Sequence, residues 1–447
     1  MRYVPVDPSL FVETRRQLKA RLKPVSVAVF HSSDVMPTSA DGRLAFVQHS
    51  DMFYLCGIDQ EETILVICPD AQEEKHREIL FVRETSEHIA VWEGPKYTKE
   101  QATTISGIQT IYWTREFEAV FRILAIESET IYLNTNEHLR AEVVVETQDQ
   151  RFLKGCKANY PLHQYARLAP IMHLLRAVKS QIETDLIQKA CNITEKAFRR
   201  ILSFIRPGVW EFEIEAEIIH EFMMNRSRGP AYPSIIASGS SACILHYECN
   251  DRQCQDGELV LMDFGAEYAG YASDLTRTVP VGGRFSQRQK AIYNAVLRVQ
   301  RGAIALLIPG ATLAEYHKAV GLLMEKELVD LGLLTLTDIH NQPVNTPAYK
   351  KFFMHGTSHH LGLNVHDYGN RYRIFEPGMV FTVEPGIYIR EEGLGVRIEN
   401  DIVITADGSV DLMKDIPVEA EEIEMLMVSD KLCQTVSVSI SKKTANG

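Results

Sequence analysis

Two segments in the second half of this chain pair acidic residues at hairpin spacing, and few folds can hold both. The first runs Glu258-Leu-Val-Leu-Met-Asp263-Phe-Gly-Ala-Glu-Tyr-Ala-Gly-Tyr-Ala-Ser-Asp274. The second begins Phe381-Thr-Val-Glu384-Pro-Gly-Ile-Tyr388 and returns as Gly395-Val-Arg397-Ile-Glu399-Asn-Asp401. In a symmetric hairpin, the numbers of facing residues sum to a constant. Asp263 with Asp274 centres a turn between Tyr268 and Ala269; Glu384 with Glu399 centres one on Glu391-Glu392, beside the turn-prone Gly393. Each acid is then expected to face its partner across the ladder, with Cα atoms ~4.5–5.5 Å apart. The two-residue strand period puts Arg397 on the face of Glu399 and Tyr388 on the face of Glu384.

Four carboxylates brought together repel and raise one another's pKa values unless cations cancel the charge. Two divalent ions would cancel it. Between the hairpins lies His355-Gly-Thr-Ser-His359-His-Leu-Gly-Leu-Asn-Val-His366, from which a neutral imidazole, His359, completes the set. Donors rich in oxygen, with one nitrogen and no thiolate, suit Mn²⁺, Fe²⁺ or Co²⁺ better than a structural zinc. Two ions ~3.5–4 Å apart would hold a bridging hydroxide and clamp a carbonyl oxygen, the arrangement of metal-assisted hydrolysis. Any one of these acids alone reads as a solvated surface group; the joint pattern points to a metal centre.

A chain of 447 residues exceeds the size at which one core stops growing, so two domains are expected. Apolar content of 45% and charged content of 24% are ordinary for a soluble protein. A net charge of −12 and a pI near 5.7 argue against nucleic acid or an anionic membrane as partner. No apolar stretch reaches the ~18 residues needed to span a bilayer. The opening Met-Arg-Tyr-Val-Pro-Val-Asp lacks the apolar core of a secretory signal. The eight cysteines (Cys56, Cys68, Cys156, Cys191, Cys243, Cys249, Cys254 and Cys433) form neither a disulfide framework nor a zinc ribbon. Cys249 and Cys254 flank a polar loop, but no second pair completes a tetrahedral site. A reducing cytoplasm is the expected location.

Residues 11 to 150 alternate helix and strand. Phe11–Leu22 has helical spacing, while Ser26–Phe30, Glu62–Cys68 and Ile131–Leu133 read as short buried strands, an α/β unit without a Gly-rich phosphate loop. One long helix is expected over Ala169–Ile205 and others over Phe212–Met224, Gln287–Leu307 and Leu313–Leu331. From Ser234 the pattern is strand-rich, as in an α+β domain with helices on one side of an antiparallel sheet. The expected division is 1–165, 166–430 and a polar tail over 431–447.

At its paired acids the chain resembles the metallopeptidases of the pita-bread fold: methionine aminopeptidase, prolidase and aminopeptidase P. The resemblance spans residues 170 to 430. It implies that Asp263 is a bidentate ligand of one metal, that Asp274 and Glu399 bridge, and that His359 and Glu384 hold the second metal. Glu384 is also implied as the proton shuttle. His246 resembles a histidine near the scissile bond, and His366 one that stabilises the tetrahedral intermediate. His355 and Arg397 resemble residues that line the pocket after the cut bond; His360 matches no role.

The N-terminal half separates the branches. Phe11-Val-Glu-Thr-Arg15-Arg16-Gln-Leu18 and Ser50-Asp-Met-Phe-Tyr54-Leu-Cys-Gly57 resemble the domain shared by aminopeptidase P and prolidase. Ala90-Val-Trp92-Glu-Gly94 resembles an aminopeptidase P segment whose tryptophan packs on substrate from a neighbouring subunit, where a flat aromatic face suits a proline ring. Asp41 resembles a residue that reads the substrate's amino end, and Tyr388 joins the substrate-binding set. The resemblance thus implies an exopeptidase acting on peptides with proline at position 2, as a homodimer or homotetramer. A prolidase restricted to Xaa-Pro dipeptides and a non-catalytic peptide-binding module of the same fold are the alternatives.

Overall fold

The computed structural model describes residues 3–343, 346–370 and 372–428. The tail over 431–447, with Cys433, lies outside the described residues. The chain forms two compact units, Tyr3–Arg176 and Ala177 onward.

The first unit runs α1 (Pro8–Lys19), β1 (Ser26–His31), α2 (Ser50–Cys56), β2 (Ile64–Ile67), β3 (Glu78–Val82), α3 (Glu87–Glu93), α4 (Lys99–Ser106), β4 (Thr110–Trp113), α5 (Phe117–Glu127), β5 (Thr130–Leu133), α6 (Gln148–Asn159), β6 (Gln164–Arg167) and α7 (Ala169–Ala177). Its mixed sheet has strand order β4-β3-β2-β1-β5-β6. The central strand β1 is buried at every residue, pairing antiparallel with β2 and parallel with β5. Alternate residues Val27 and Val29 join Phe81, Ile131, Phe117, Phe121 and Leu124 in one core. The expected α/β organisation holds. This unit extends past the division expected at 165/166 because β6 adds an edge strand beside β5. Farther on, Arg176 is buried on Asp51 at 2.8 Å, and Asn134 donates to the same carboxylate at 3.1 Å.

The single helix expected over Ala169–Ile205 is two. After α7, helix α8 (Gln181–Phe204) restarts because Ser180 caps it: the Ser180 side chain accepts from the Glu183 N–H, and the Glu183 side chain reaches back to the cap. Leu186, Ile187, Ala190, Ile193, Ala197, Phe198 and Ile201 line its buried face at helical spacing. Each of the Leu, Ile and Phe side chains among them contributes about 1.5–3 kcal/mol of burial.

Next come α9 (Glu211–Met224), β7 (Ile235–Ser238), β8 (Leu259–Phe264), β9 (Glu267–Tyr268), β10 (Tyr271–Ala272), β11 (Leu275–Pro280), α10 (Gln287–Leu306), α11 (Leu313–Asp330), α12 (Leu336–His340), β12 (Val380–Val383), β13 (Gly386–Ile389), β14 (Leu394–Arg397), β15 (Asn400–Thr405) and β16 (Gly408–Asp411). Every strand pair here is antiparallel, in the orders β11-β8-β7, β10-β9, β12-β15-β16 and β13-β14.

Register decides where the acids go. β13 pairs with β14 as Gly386↔Arg397, and β12 with β15 as Val383↔Asn400, so Glu384 and Glu399 face each other as expected. The first hairpin differs. Asp263 pairs with Thr276, not Asp274, because the turn sits on Ala269-Gly270, both at positive φ (52° and 82°). The shift is two residues, which preserves the face and leaves Asp274 diagonal to Asp263. Gly265 is required where β8 leads into β9: a Cβ there would lie 1.7 Å from the Ser273 carbonyl oxygen. The two hairpins meet where the Glu399 N–H donates to Thr276 O at 3.0 Å.

Candidate metal centre

The strand ends bring Asp274, His359 and Glu399 together, with one ligand atom from each within 4.8 Å of the others. His359 Nε2 lies 3.5 Å from Asp274 Oδ2 and 3.6 Å from Glu384 Oε1. Asp263 joins on the other side: the Tyr232 hydroxyl donates to its Oδ1 at 2.6 Å and also to Asp274. The five residues expected as ligands therefore surround one region, although the Asp263–Asp274 cross-strand pair does not form.

Arg397 organises the wall behind them and is 4% exposed. Its Nη2 donates to Asp263 Oδ2 at 2.6 Å, its Nε to Thr276 Oγ1 at 3.0 Å and its Nη1 to Tyr388 Oη at 2.8 Å. Thr276 Oγ1 in turn donates to Glu399 Oε2 at 2.6 Å. One guanidinium thus fixes acids from both hairpins. Tyr388 is buried at 1% exposure, its hydroxyl shared between Arg397 and His355 Nε2 at 2.8 Å.

Burial holds His355 neutral, its pKa pushed down to about 3. Its Nδ1 lies 2.7 Å from the Gly356 carbonyl, so Nδ1 carries the proton and Nε2 accepts from Tyr388. Nδ1 also lies 3.4 Å from Glu384 Oε2. His366 stacks edge-on to His359, ring centroids 4.4 Å apart at 80°. His246 is exposed in the turn after Gly239–Cys243, within electrostatic reach of His355. Trp92, 77% exposed on α3, and Asp41, exposed between β1 and α2, belong to the first unit. His360 is buried, its ring 4.2 Å from that of Phe381 and within electrostatic reach of Lys179 and Asp367.

The donor chemistry fits divalent cations. His359 Nδ1 lies 3.0 Å from the His360 carbonyl oxygen, which fixes the proton there and turns the Nε2 lone pair toward the carboxylates. A lone pair facing carboxylate oxygens is repulsive until a cation stands between them. The acids carry the same strain. Desolvation, followed by neighbouring carboxylates, pushes Glu399 well above the ordinary range, and burial then Asp263 do so for Asp274. Burial raises Glu384 to about 7. Cations would relieve all three.

Sequence reasoning missed several supports. Thr276 was legible from the two-residue period that carries Asp274 onto its face. Tyr232, in Pro230-Ala231-Tyr232-Pro233, carries no spacing signal. Asp401 is fully buried; its Oδ2 accepts from the Asp274 N–H at 2.9 Å and from Cys191 Sγ at 3.4 Å. Glu211 is fully buried at the start of α9. It accepts from Ser238 N and Oγ (both 2.7 Å), Tyr247 Oη (2.8 Å) and Arg252 N (2.9 Å), anchoring the segment that carries His246.

Residues 185–406 match the model of metallopeptidase family M24, and residues 11–132 match the aminopeptidase P N-terminal domain. The Xaa-Pro aminopeptidase of Escherichia coli (strain K12) is 36% identical over 434 residues, covering 94% of this chain and 97% of that protein. The solved structure of Pseudomonas aeruginosa aminopeptidase PepP is similar with a TM-score of 0.87 at 32% identity, covering 96% of this chain and 99% of that one. Zn-substituted E. coli aminopeptidase P in complex with product gives 0.84 at 35% identity, covering 96% and 99%. The chain belongs to the aminopeptidase P family of M24 metallopeptidases, an aminopeptidase P N-terminal domain followed by a pita-bread catalytic domain.

Proposed function

We propose that this protein removes the first residue from peptides with proline at position 2, using two divalent ions, with Mn²⁺ as the working metal. The observation that carries this reading is the His359 Nε2 lone pair turned into a buried set of carboxylates. Asp263 would hold one ion as a bidentate ligand, Asp274 and Glu399 would bridge, and His359 with Glu384 would hold the second. Bound there, the ions supply Lewis-acid polarisation of the scissile carbonyl and a water nucleophile at neutral pH.

The rest falls to the side chains. Glu384, 3.6 Å from His359 Nε2, would take a proton from the attacking water and pass it to the proline nitrogen. His366, edge-on to His359, would donate to the developing oxyanion, and exposed His246 would position the residue before the cut bond. Arg397 and His355, both held by the Tyr388 hydroxyl, would line the pocket after it. Tyr388 itself contributes through those two groups, since its hydroxyl is already engaged.

Trp92 and Val91 stand side by side on α3, 77% and 80% exposed. That supports a homodimer or homotetramer in which Trp92 reaches a neighbour's substrate, with Asp41 reading the amino end. Among the described residues no helix is long and apolar enough to cross a membrane, and the cytoplasm is the proposed location. The test is hydrolysis of Gly-Pro-Gly and Gly-Pro by metal-stripped protein, with and without Mn²⁺. Manganese-dependent release of glycine from the tripeptide is expected; cleavage of the dipeptide alone would make the enzyme a prolidase.

A further inference from the structure

A cavity of ≈ 380 Å³ is lined by Ser240, Cys243, Ile244, Leu245, Met354 and Arg390. No residue of the metal set lines it, but its lining residues neighbour residues of the centre in sequence. Leu245 precedes His246, Met354 precedes His355, and Arg390 opens the turn that follows the strand carrying Tyr388. Cys243, Leu245 and Met354 also pack on the core cluster that contains Tyr388. Its lining is mostly apolar, with Ile244 left 54% exposed. The Arg390 guanidinium is exposed and makes no ion pair or hydrogen bond among the described residues. Burial raises the half-buried Cys243 thiol, and the nearby Arg390 charge opposes that rise.

We infer that this cavity is a downstream subsite, which takes an apolar residue past the proline and pairs Arg390 and the Ser240 hydroxyl with a peptide carboxylate. The inference rests on the exopeptidase reading, which fixes the direction of the chain: the amino end at His246, the leaving peptide past His355 and Tyr388. An unpartnered guanidinium at the edge of an apolar cavity offers a carboxylate two parallel donors. The carboxylate can be the C-terminus of a short peptide or an Asp or Glu side chain of a longer one.

The test compares Gly-Pro-Leu-Leu as free acid, Gly-Pro-Leu-Leu-amide and Gly-Pro-Leu-Glu-amide on Mn²⁺-loaded wild type and Arg390→Met. Arg390 is exposed, so screening limits the effect: wild type is expected to favour the free acid over the plain amide by about fivefold, through KM. Arg390→Met should abolish that ratio while leaving turnover of the plain amide unchanged. Preference for the glutamyl amide would assign the carboxylate to a side chain, and preference for the free acid to a C-terminus. In parallel, iodoacetamide alkylation of Cys243, followed by peptide mapping, should be slowed by Pro-Leu-Leu in wild type but not in Arg390→Met.

If the peptides are cleaved with no acid preference and no protection of Cys243, the subsite is refuted and the exopeptidase reading stands. If they are not cleaved but the acid alone protects Cys243, the subsite stands and that reading falls. Protection that is indifferent to Arg390→Met refutes the carboxylate pairing.

Discussion

Glu211 offers the sharpest test of how the fold holds the His246 segment. It is fully buried with four donors on its two oxygens: Ser238 N and Oγ on one, Tyr247 Oη and Arg252 N on the other. Burial, then the bond to Glu211, pushes Tyr247 up to about 12, so its hydroxyl stays a donor at neutral pH. Glu211→Gln keeps the volume and replaces one oxygen with an NH₂. Either hydroxyl can rotate to accept from that group, but a backbone N–H cannot. Whichever way the amide turns, the N–H of Ser238 or of Arg252 is left facing another donor. One stranded buried N–H costs about 1–3 kcal/mol, and the surviving bonds lose charge assistance, so a total of about 2–4 kcal/mol is expected. The assay is urea unfolding followed by Trp210, one residue before Glu211, in a Trp92→Phe, Trp113→Phe background that removes the remaining tryptophans. The midpoint should fall with an unchanged slope. A loss below about 0.5 kcal/mol, the range of a neutral surface change, would refute the hub.

Further outcomes follow from the same geometry. Tyr232→Phe removes the hydroxyl that joins Asp263 to Asp274 and should weaken Mn²⁺ binding by about 10–100-fold, read by calorimetric titration; unchanged affinity would show that the acids orient themselves. For pH, burial pushes His360 down to about 3 from 6.5, so between these values the unfolded chain binds a proton that the folded one refuses. Its contribution is complete above the unfolded pKa and lost as pH falls toward the folded one. His360→Phe should therefore lessen the acid-side fall of stability by up to about 1.4 kcal/mol per pH unit, measured as Tm against pH. Identical slopes would refute it.

Legibility followed the physics of each element. The Glu384–Glu399 register was readable because strand period and a turn closed by Gly393 leave one solution. Asp263 was assigned the wrong partner because the turn places Ala269 at positive φ, a conformation its sequence does not announce. The break between α7 and α8 did carry a signal, Ser180-Gln-Ile-Glu183, a capping box inside an otherwise continuous helical pattern. Tyr232, Glu211 and Asp401 act through contacts between segments distant in sequence, which no local spacing encodes. The family resemblance supplied the expected roles of His246, His355 and His366; their isolated positions in the sequence could not.

The dinuclear centre is tested most directly by counting ions. Metal-stripped wild type and Asp274→Ala would be dialysed to equilibrium against Mn²⁺, and the bound metal measured per chain by elemental mass spectrometry. Two ions are expected in wild type. Asp274→Ala, lacking a ligand placed between the ions, should lose at least one of them, and its Gly-Pro-Gly turnover should fall by orders of magnitude. A wild-type chain that binds one ion or none, or an Asp274→Ala chain that keeps two ions and near-normal turnover, would contradict the assignment.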